Sequence, residues 1–351
     1  MRGGLAQSIV ETRRELPNQH PPTTHAKLGA KGKDPNCSSA IAGCPFQLLR
    51  DSECSRSRTS GLMQSTGADP DISETGYSYD GTHSDHGSRF SALVSELTCA
   101  STIVRYVIER HLVIETPEGS MGTYVVHPQG DGPFPVVLFL MDAPGKRPLL
   151  HEMAKRIAES GYYVMLPNLY YRTTPSFELD FSSKESFQRM VELMGGTGNR
   201  MIARDASELF AYAEKESVAN AQIAGCVGYC MSGPFALYVA AEHQDRVCAA
   251  ASFYGVRLIT DLSDSPHAQL ANITGEIYVG CAEHDDYVPM DMVDEFENAM
   301  VDSGVRGKLE RYWGNHHGFA FNDRPAYDAV ADQRHWEVLL DLFARNLGSS
   351  V

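Results

Sequence analysis

Basic charge is what this sequence most lacks. Its 351 residues carry 30 Lys and Arg against 45 Asp and Glu, a formal net charge of −15. A chain this acidic has no positive stripe to meet a phosphate backbone, so nucleic acid is excluded as the expected partner. Long hydrophobic runs are missing too. No stretch approaches the roughly 20 apolar residues that cross a bilayer, so no membrane-spanning helix is expected. Arg2 is followed by no continuous apolar segment of the kind a secretory signal requires, so none is expected. Cysteine is sparse, with eight in the whole chain, too few for a disulfide scaffold. Cys230, beside an apolar strand pattern, predicts a reduced, cytoplasmic setting. Metal patterns are missing as well. Cys37, Cys44 and Cys54 have no completing His pair, and His284 with Asp285 lacks a well-spaced third ligand, so neither metal nor cofactor is predicted. Gly195-Gly196-Thr197-Gly198 lacks the preceding strand and following Lys of a phosphate loop, and reads as a break in a helical region.

What is present divides near residue 104. Residues 1–103 are rich in Ser, Gly, Thr, Pro, Asn and Asp, with scattered apolar residues and no period of 2 or 3.6. Such a segment buries too little apolar surface to offset the entropy of ordering it, so a disordered extension is predicted there. It would be an over-long start or a regulatory tail. Residues 104–351 are predicted to form one folded domain.

Within that domain, Val107–Ile114 and Thr123–His127 read as a hairpin joined through Pro117, Glu118 and Gly119. Apolar runs then alternate with helical patterns, which predicts βα units and a mostly parallel sheet with helices on both faces. The predicted strands are Pro135–Met141, Tyr162–Leu166, Ile223–Tyr229, Val247–Tyr254, Glu276–Cys281 and Leu309–Trp313. Helices are predicted over Leu149–Glu159, Glu185–Leu193, Ile202–Glu216, Phe235–Glu242, Met292–Met300 and Ala326–Leu347.

The most informative stretch is Gly225-Cys-Val-Gly-Tyr-Cys-Met-Ser-Gly233. An apolar strand stops at Gly228, Cys230 follows, and a helical pattern begins at once. So tight a strand-to-helix turn projects its middle side chain from the sheet edge and demands small residues two positions either side. Gly228 and Ser232 meet that demand. This is the nucleophile elbow of an α/β-hydrolase with sulfur in place of oxygen. The competing reading makes Cys230 a small core residue, and Ser232, flanked by Cys230 and Pro234, is a poor rival nucleophile. Cys226, Cys248 and Cys281 sit on predicted strands and read as core.

A nucleophile needs a base, and the base an orienting acid, arriving in that fold in the order nucleophile, acid, base. After the Glu276–Cys281 strand come Asp285 and Asp286; after the Leu309–Trp313 strand come His316 and His317. Asp291 is expected to cap the following helix, which leaves Asp285 and Asp286 without a capping role.

Gly228-Tyr229-Cys230-Met231, Asp285-Asp286-Tyr287-Val288-Pro289 and His317-Gly318-Phe319 resemble the dienelactone hydrolases (carboxymethylenebutenolidases) over about residues 107–347. Met141-Asp142-Ala143-Pro144-Gly145 and Leu169-Tyr170-Tyr171-Arg172 extend the likeness. The resemblance implies Cys230 as nucleophile, His317 as base and Asp285 as acid. It also implies an oxyanion hole from the N–H groups of Met231 and Ala143, and Asp142 as a carboxylate holding the thiol neutral until substrate binds. Arg172 would clamp a substrate carboxylate, with Tyr171 and Phe319 lining the pocket. The chain departs from the pattern at three places. Asp142 is one methylene shorter than the family's Glu, Phe321 stands where well-studied members carry a second Arg (Arg324 being the nearest here), and Ser232 replaces a Gly.

The implied activity is hydrolysis of a dienelactone-like ester or lactone through a thioester, on a small-molecule substrate and without cofactor. The alternatives are a carboxylesterase or lactonase acting on a less charged substrate, and a hydrolase fold used only for binding. A monomer or small homo-oligomer is expected.

Overall fold

The computed structural model describes residues 106–348; the predicted disordered extension over 1–103, with Cys37, Cys44 and Cys54, lies outside the described residues. Strands β1 (Val107–Thr116) and β2 (Gly119–Pro128) pair antiparallel from Val107↔Pro128 to Thr116↔Gly119, so Pro117 and Glu118 alone make the turn. The hairpin is longer than predicted because Gly119–Gly122 has weak strand propensity but full pairing with β1.

Six more strands follow: β3 (Phe134–Leu140), β4 (Tyr163–Pro167), β5 (Ala219–Tyr229), β6 (Val247–Phe253), β7 (Glu276–His284) and β8 (Gly307–His316). One sheet results, ordered β1-β2-β4-β3-β5-β6-β7-β8, antiparallel as far as the β2–β4 pair and parallel beyond. β3 and β4 are buried at every position. That is why they read as unbroken apolar runs: helices cover both faces of a parallel sheet.

The helices are α1 (Pro148–Glu159), α2 (Lys184–Gly195), α3 (Asn199–Ala213), α4 (Gly233–Glu242), α5 (Met290–Ser303) and α6 (Ala329–Leu347). The α1 face Leu150, Met153, Ala154, Ile157 and Ala158 is buried at helical spacing. α1 and α6 share one side of the sheet, where the Arg156 guanidinium lies 4.2 Å over the Trp336 ring. α3 and α4 pack together on the other. α4 is buried at every residue but Glu242, which explains its lack of amphipathic pattern. Asp328 caps α6 by accepting from Val330 N at 3.0 Å and Ala331 N at 2.8 Å. Asp291 does not cap α5 as expected: the cap position is Pro289, and Asp291 lies in the first turn, where its charge still favours the helix dipole.

This order also fixes where chemistry can happen. After β3 the chain moves outward to β4; after β5 it moves the other way to β6. The crevice beyond the carboxyl ends of β3 and β5 is therefore the switch point, where open α/β sheets bind ligands. The Met141–Gly145 loop and Cys230 both open onto it.

Candidate active site

The elbow is built by close approach. β5 ends at Tyr229, and Cys230 takes φ = 54°, the left-handed region that a residue with a Cβ rarely adopts. A Cβ at Gly228 would stand 2.0 Å from the Ser232 carbonyl oxygen, and one at Gly233 would stand 2.5 Å from Gly255 Cα. No side chain fits at either position. Ser232 is fully buried. Its hydroxyl accepts from Tyr229 N at 2.9 Å and lies 2.9 Å from Leu140 O and 3.1 Å from Tyr229 O, either of which can take its proton. The departure from Gly thus ties the elbow to the end of β3. Ser232 has no exposed surface from which to attack a substrate.

The acid and base come from adjacent strands. β7 and β8 both run about three residues past their predicted ends, through an irregularity near Ala282, to the paired residues His284↔His316. The next residue on each is Asp285 and His317, so strand pairing alone sets them side by side. His317 N donates to His284 O at 3.2 Å. The His317 Nδ1 to Asp285 Oδ2 distance is 2.7 Å, and Asp285 Oδ1 accepts from Tyr287 N at 3.0 Å. Asp286 and His316 are exposed.

The other ring nitrogen, Nε2, is buried with no formed hydrogen bond. Burial alone would push the imidazole pKa down. The charge of the neighbouring Cys230 sulfur, followed by hydrogen bonding and charge from Asp285, outweighs it and raises the pKa to about 10. Cys230→Ala should therefore bring the His317 titration down in pH. The imidazole Hε1 resonance followed from pH 6 to 10.5 checks this, and an unchanged inflection near pH 10 would mean that the sulfur is not its partner.

Among the four described cysteines, all free, only Cys230 occupies an elbow. Burial pushes the Cys226 thiol well up and that of Cys281 up to about 12, leaving both inert. Among the described residues no cluster of three His, Cys, Asp or Glu could hold a metal, and no helix is long and apolar enough to cross a membrane.

Ala143 follows β3 and Met231 follows the nucleophile, both buried. Tyr170, unremarked in the sequence beyond its aromatic character, links them: its hydroxyl donates to Ala143 O at 2.9 Å and lies 3.3 Å from Met231 Sδ. Burial, reinforced by the charges of Asp142 and Cys230, raises the Tyr170 hydroxyl pKa, so it remains a donor.

Other expected roles meet different surroundings. Asp142 is fully buried, and its oxygens go to Arg147 Nη1 at 2.6 Å and Arg324 Nη2 at 2.6 Å. Arg147 also binds Asp323 through Nε at 2.5 Å. The short Asp142 side chain is held by two guanidinium groups and makes no hydrogen bond with Cys230. Arg172 is likewise occupied, gripping Asp205 through Nη1 at 2.9 Å and Nη2 at 2.6 Å, with Glu118 on Nε. The Tyr171 hydroxyl joins this cluster at 2.9 Å from Asp205 Oδ1. Both residues line a cavity bounded by the β1–β2 turn and α3, which has no lining residue in common with the cavity beside Met231. Phe319 is fully buried, stacked on Tyr312 at 4.3 Å, and offers no surface to a ligand. Arg147 and Asp323 carried no sequence signal, since their meeting depends on chain folding across 176 residues.

The chain is similar to known proteins. The dienelactone hydrolase family matches residues 121–347. A Synechocystis protein provisionally named a carboxymethylenebutenolidase is 28% identical over 227 residues, covering 64% of this chain and 91% of its own. A Bradyrhizobium protein provisionally named a 2-oxo-3-(5-oxofuran-2-ylidene)propanoate lactonase is 26% identical over 217 residues, covering 61% of this chain and 84% of its own. A Klebsiella pneumoniae crystal structure, provisionally named a dienelactone hydrolase, shares the fold with a TM-score of 0.61 at 21% identity, covering 68% of this chain and 99% of its own. The match takes in more than half of the chain, from the second strand through the last helix, and by it this chain belongs to the dienelactone hydrolase family.

Proposed function

We propose that the chain is a cysteine-dependent hydrolase of an ester or lactone, working through Cys230, His317 and Asp285 by way of a thioester. Membership of the family makes it a hydrolase of ester or lactone bonds; the thiol nucleophile and its partners are the finer reading. What supports it most is the Asp285–His317 contact at 2.7 Å, on a ring whose other nitrogen is buried next to the elbow sulfur.

The chemistry follows from these positions. The Cys230 proton passes to His317 Nε2, and Asp285 stabilises the resulting imidazolium. The thiolate attacks the carbonyl carbon, and the N–H groups of Met231 and Ala143 receive the developing oxyanion. Collapse expels the alkoxide, which takes the proton from His317. In a lactone the alkoxide stays tethered to the acyl group. Water, deprotonated by His317, then attacks the thioester and releases the acid and the thiol. Free thiols at all four described cysteines support placing this chemistry in the cytoplasm.

A second reading, a carboxylesterase or lactonase acting on a less charged substrate, is favoured by Arg172 being ion-paired and Phe321 being buried. The test of the thioester is direct. Acid-quenching the protein seconds after mixing with 4-nitrophenyl acetate should leave one acetyl group on the peptide bearing Cys230, found by mass spectrometry. Turnover with acetyl found only on a serine would overturn the thiol mechanism. Ligand-induced stabilisation without turnover or labelling would instead indicate a binding module.

A further inference from the structure

A second row of acid, imidazole and hydroxyl lies behind the elbow, and the reaction described above makes no use of it. The Tyr229 side chain leaves β5 on the face that α6 covers, where a Cβ at Gly225 would meet Phe343 and Leu347. There the Tyr229 hydroxyl lies 2.7 Å from His335 Nε2, and His335 Nδ1 lies 3.2 Å from Asp332 Oδ1, one turn back along α6. Tyr229 and His335 are both fully buried. A carboxylate has no proton to give, so Nδ1 carries the imidazole proton and donates it to Asp332. Nε2 then accepts from Tyr229, whose hydroxyl pKa is pushed far up by burial, so that it stays a donor. Asp332, which also accepts from the Tyr327 hydroxyl at 3.3 Å, is the member of the row that reaches solvent.

Polar groups are expensive to bury where Phe and Leu would pack without loss. Neither Tyr229 nor His335 has surface with which to touch a substrate. What the row can do is fix Tyr229, and Tyr229 is joined to the reacting groups twice. Its main-chain N and O both lie within hydrogen-bond distance of the Ser232 hydroxyl, and the next residue is Cys230 at its left-handed φ. Its ring packs against Phe321 at 5.1 Å and Tyr254 at 6.0 Å, and Tyr254 in turn meets the His317 ring edge-on at 5.1 Å. The Tyr229 ring therefore backs both the nucleophile and the base. A backbone conformation as disfavoured as that of Cys230 persists only where its surroundings over-determine it. A fully satisfied buried network supplies that rigidity.

We infer that Tyr229 and His335 are positioning residues: their row with Asp332 pins the elbow, and through it holds the Cys230 sulfur in register with His317. The inference rests on Cys230 being the nucleophile. It also gives turnover an acid sensitivity. Facing His335 are Asp332 on its own helix, Tyr229 on β5 and the Arg156 charge on α1. Burial above all lowers its pKa from 6.5, with Asp332 opposing and Arg156 reinforcing the shift. The folded protein therefore favours the neutral ring, whose contribution is complete above about pH 6.5 and is lost as the pH falls below it. Protonation turns Nε2 into a second donor facing the Tyr229 hydroxyl, and the pin opens.

The test compares Tyr229→Phe, His335→Leu and His335→Gln on 4-nitrophenyl butyrate. Tyr229→Phe removes a single oxygen and keeps the packed ring, so it is expected to fold. In it and in His335→Leu, kcat should fall roughly 10-fold, the size of one hydrogen bond, with KM within about twofold of wild type. His335→Gln should recover most of the loss, because its amide oxygen can accept from Tyr229 and its amide nitrogen can donate to Asp332. It should also flatten the decline in kcat below about pH 6.5, since Gln does not titrate. Variants that melt at lower temperature yet keep the wild-type kcat and pH profile, with cleavage still abolished by Cys230→Ala, would overturn the positioning role alone. Cleavage that survives Cys230→Ala would remove the nucleophile, and this inference with it.

Discussion

Cys230→Ala is expected to lower kcat/KM for 4-nitrophenyl butyrate by about 10⁴-fold or more, with no change of fold. The expectation comes from how the three side chains depend on one another. Without the sulfur there is no thioester, and His317 has nothing to activate. What remains is hydrolysis by water in a pocket that still offers the Met231 and Ala143 N–H groups, and such residual catalysis is typically ~10³–10⁴ over water alone. The cooperative nature of the unit gives a sharper check. His317→Ala should be nearly as damaging as Cys230→Ala, and the double variant no worse than either single, because a second deletion removes nothing still in use. Multiplicative losses in the double variant would mean that the two residues act independently. Packing is little affected, since Cys230 is only half-buried and Ala is compatible with the turn. Steady-state kinetics with circular dichroism on the three proteins decides the matter.

Much of this site could be read in the chain before folding, for reasons that are local. Gly228, Cys230 and Ser232 lie within five residues, and their spacing is dictated by a turn too tight for larger neighbours. β3 and β4 are buried on both faces, so their apolar runs could belong to little else. Non-local contacts were harder to see. The last residues of β7 and β8 are polar, and only their pairing, ending at His284↔His316, shows that the strands continue and bring Asp285 against His317. Residue type alone did not separate Asp285 from Asp286 or His317 from His316. Arg172 is a similar case. An arginine among tyrosines suits a carboxylate clamp, and the carboxylates it meets in the fold are Asp205 of α3 and Glu118 of the hairpin turn, 33 and 54 residues away.

Asp142→Ala should be the most destabilising single substitution at the site. Its carboxylate is 1% exposed and neutralises the Arg147 guanidinium, itself 5% exposed, while Arg324 reaches it from 182 residues along the chain. Removing one partner of a buried ion pair leaves an uncompensated charge and costs about 3–5 kcal/mol. Asp323 remains on Arg147 but is more exposed, at 29%, and compensates only in part. The denaturant midpoint should fall accordingly, with the melting temperature lowered on the order of 10 °C. Asp142→Asn, which keeps the shape and loses the charge, should fall in the same direction by less. A thiol-gating carboxylate would behave differently: stability would hold, and alkylation of Cys230 by iodoacetamide in the resting enzyme would accelerate several-fold. The two roles separate because the ion pairs join the loop after β3 to the segment after His317, whereas gating requires contact with sulfur. A stable Asp142→Ala protein with a faster-reacting thiol would therefore return Asp142 to the chemistry and remove it from the scaffold.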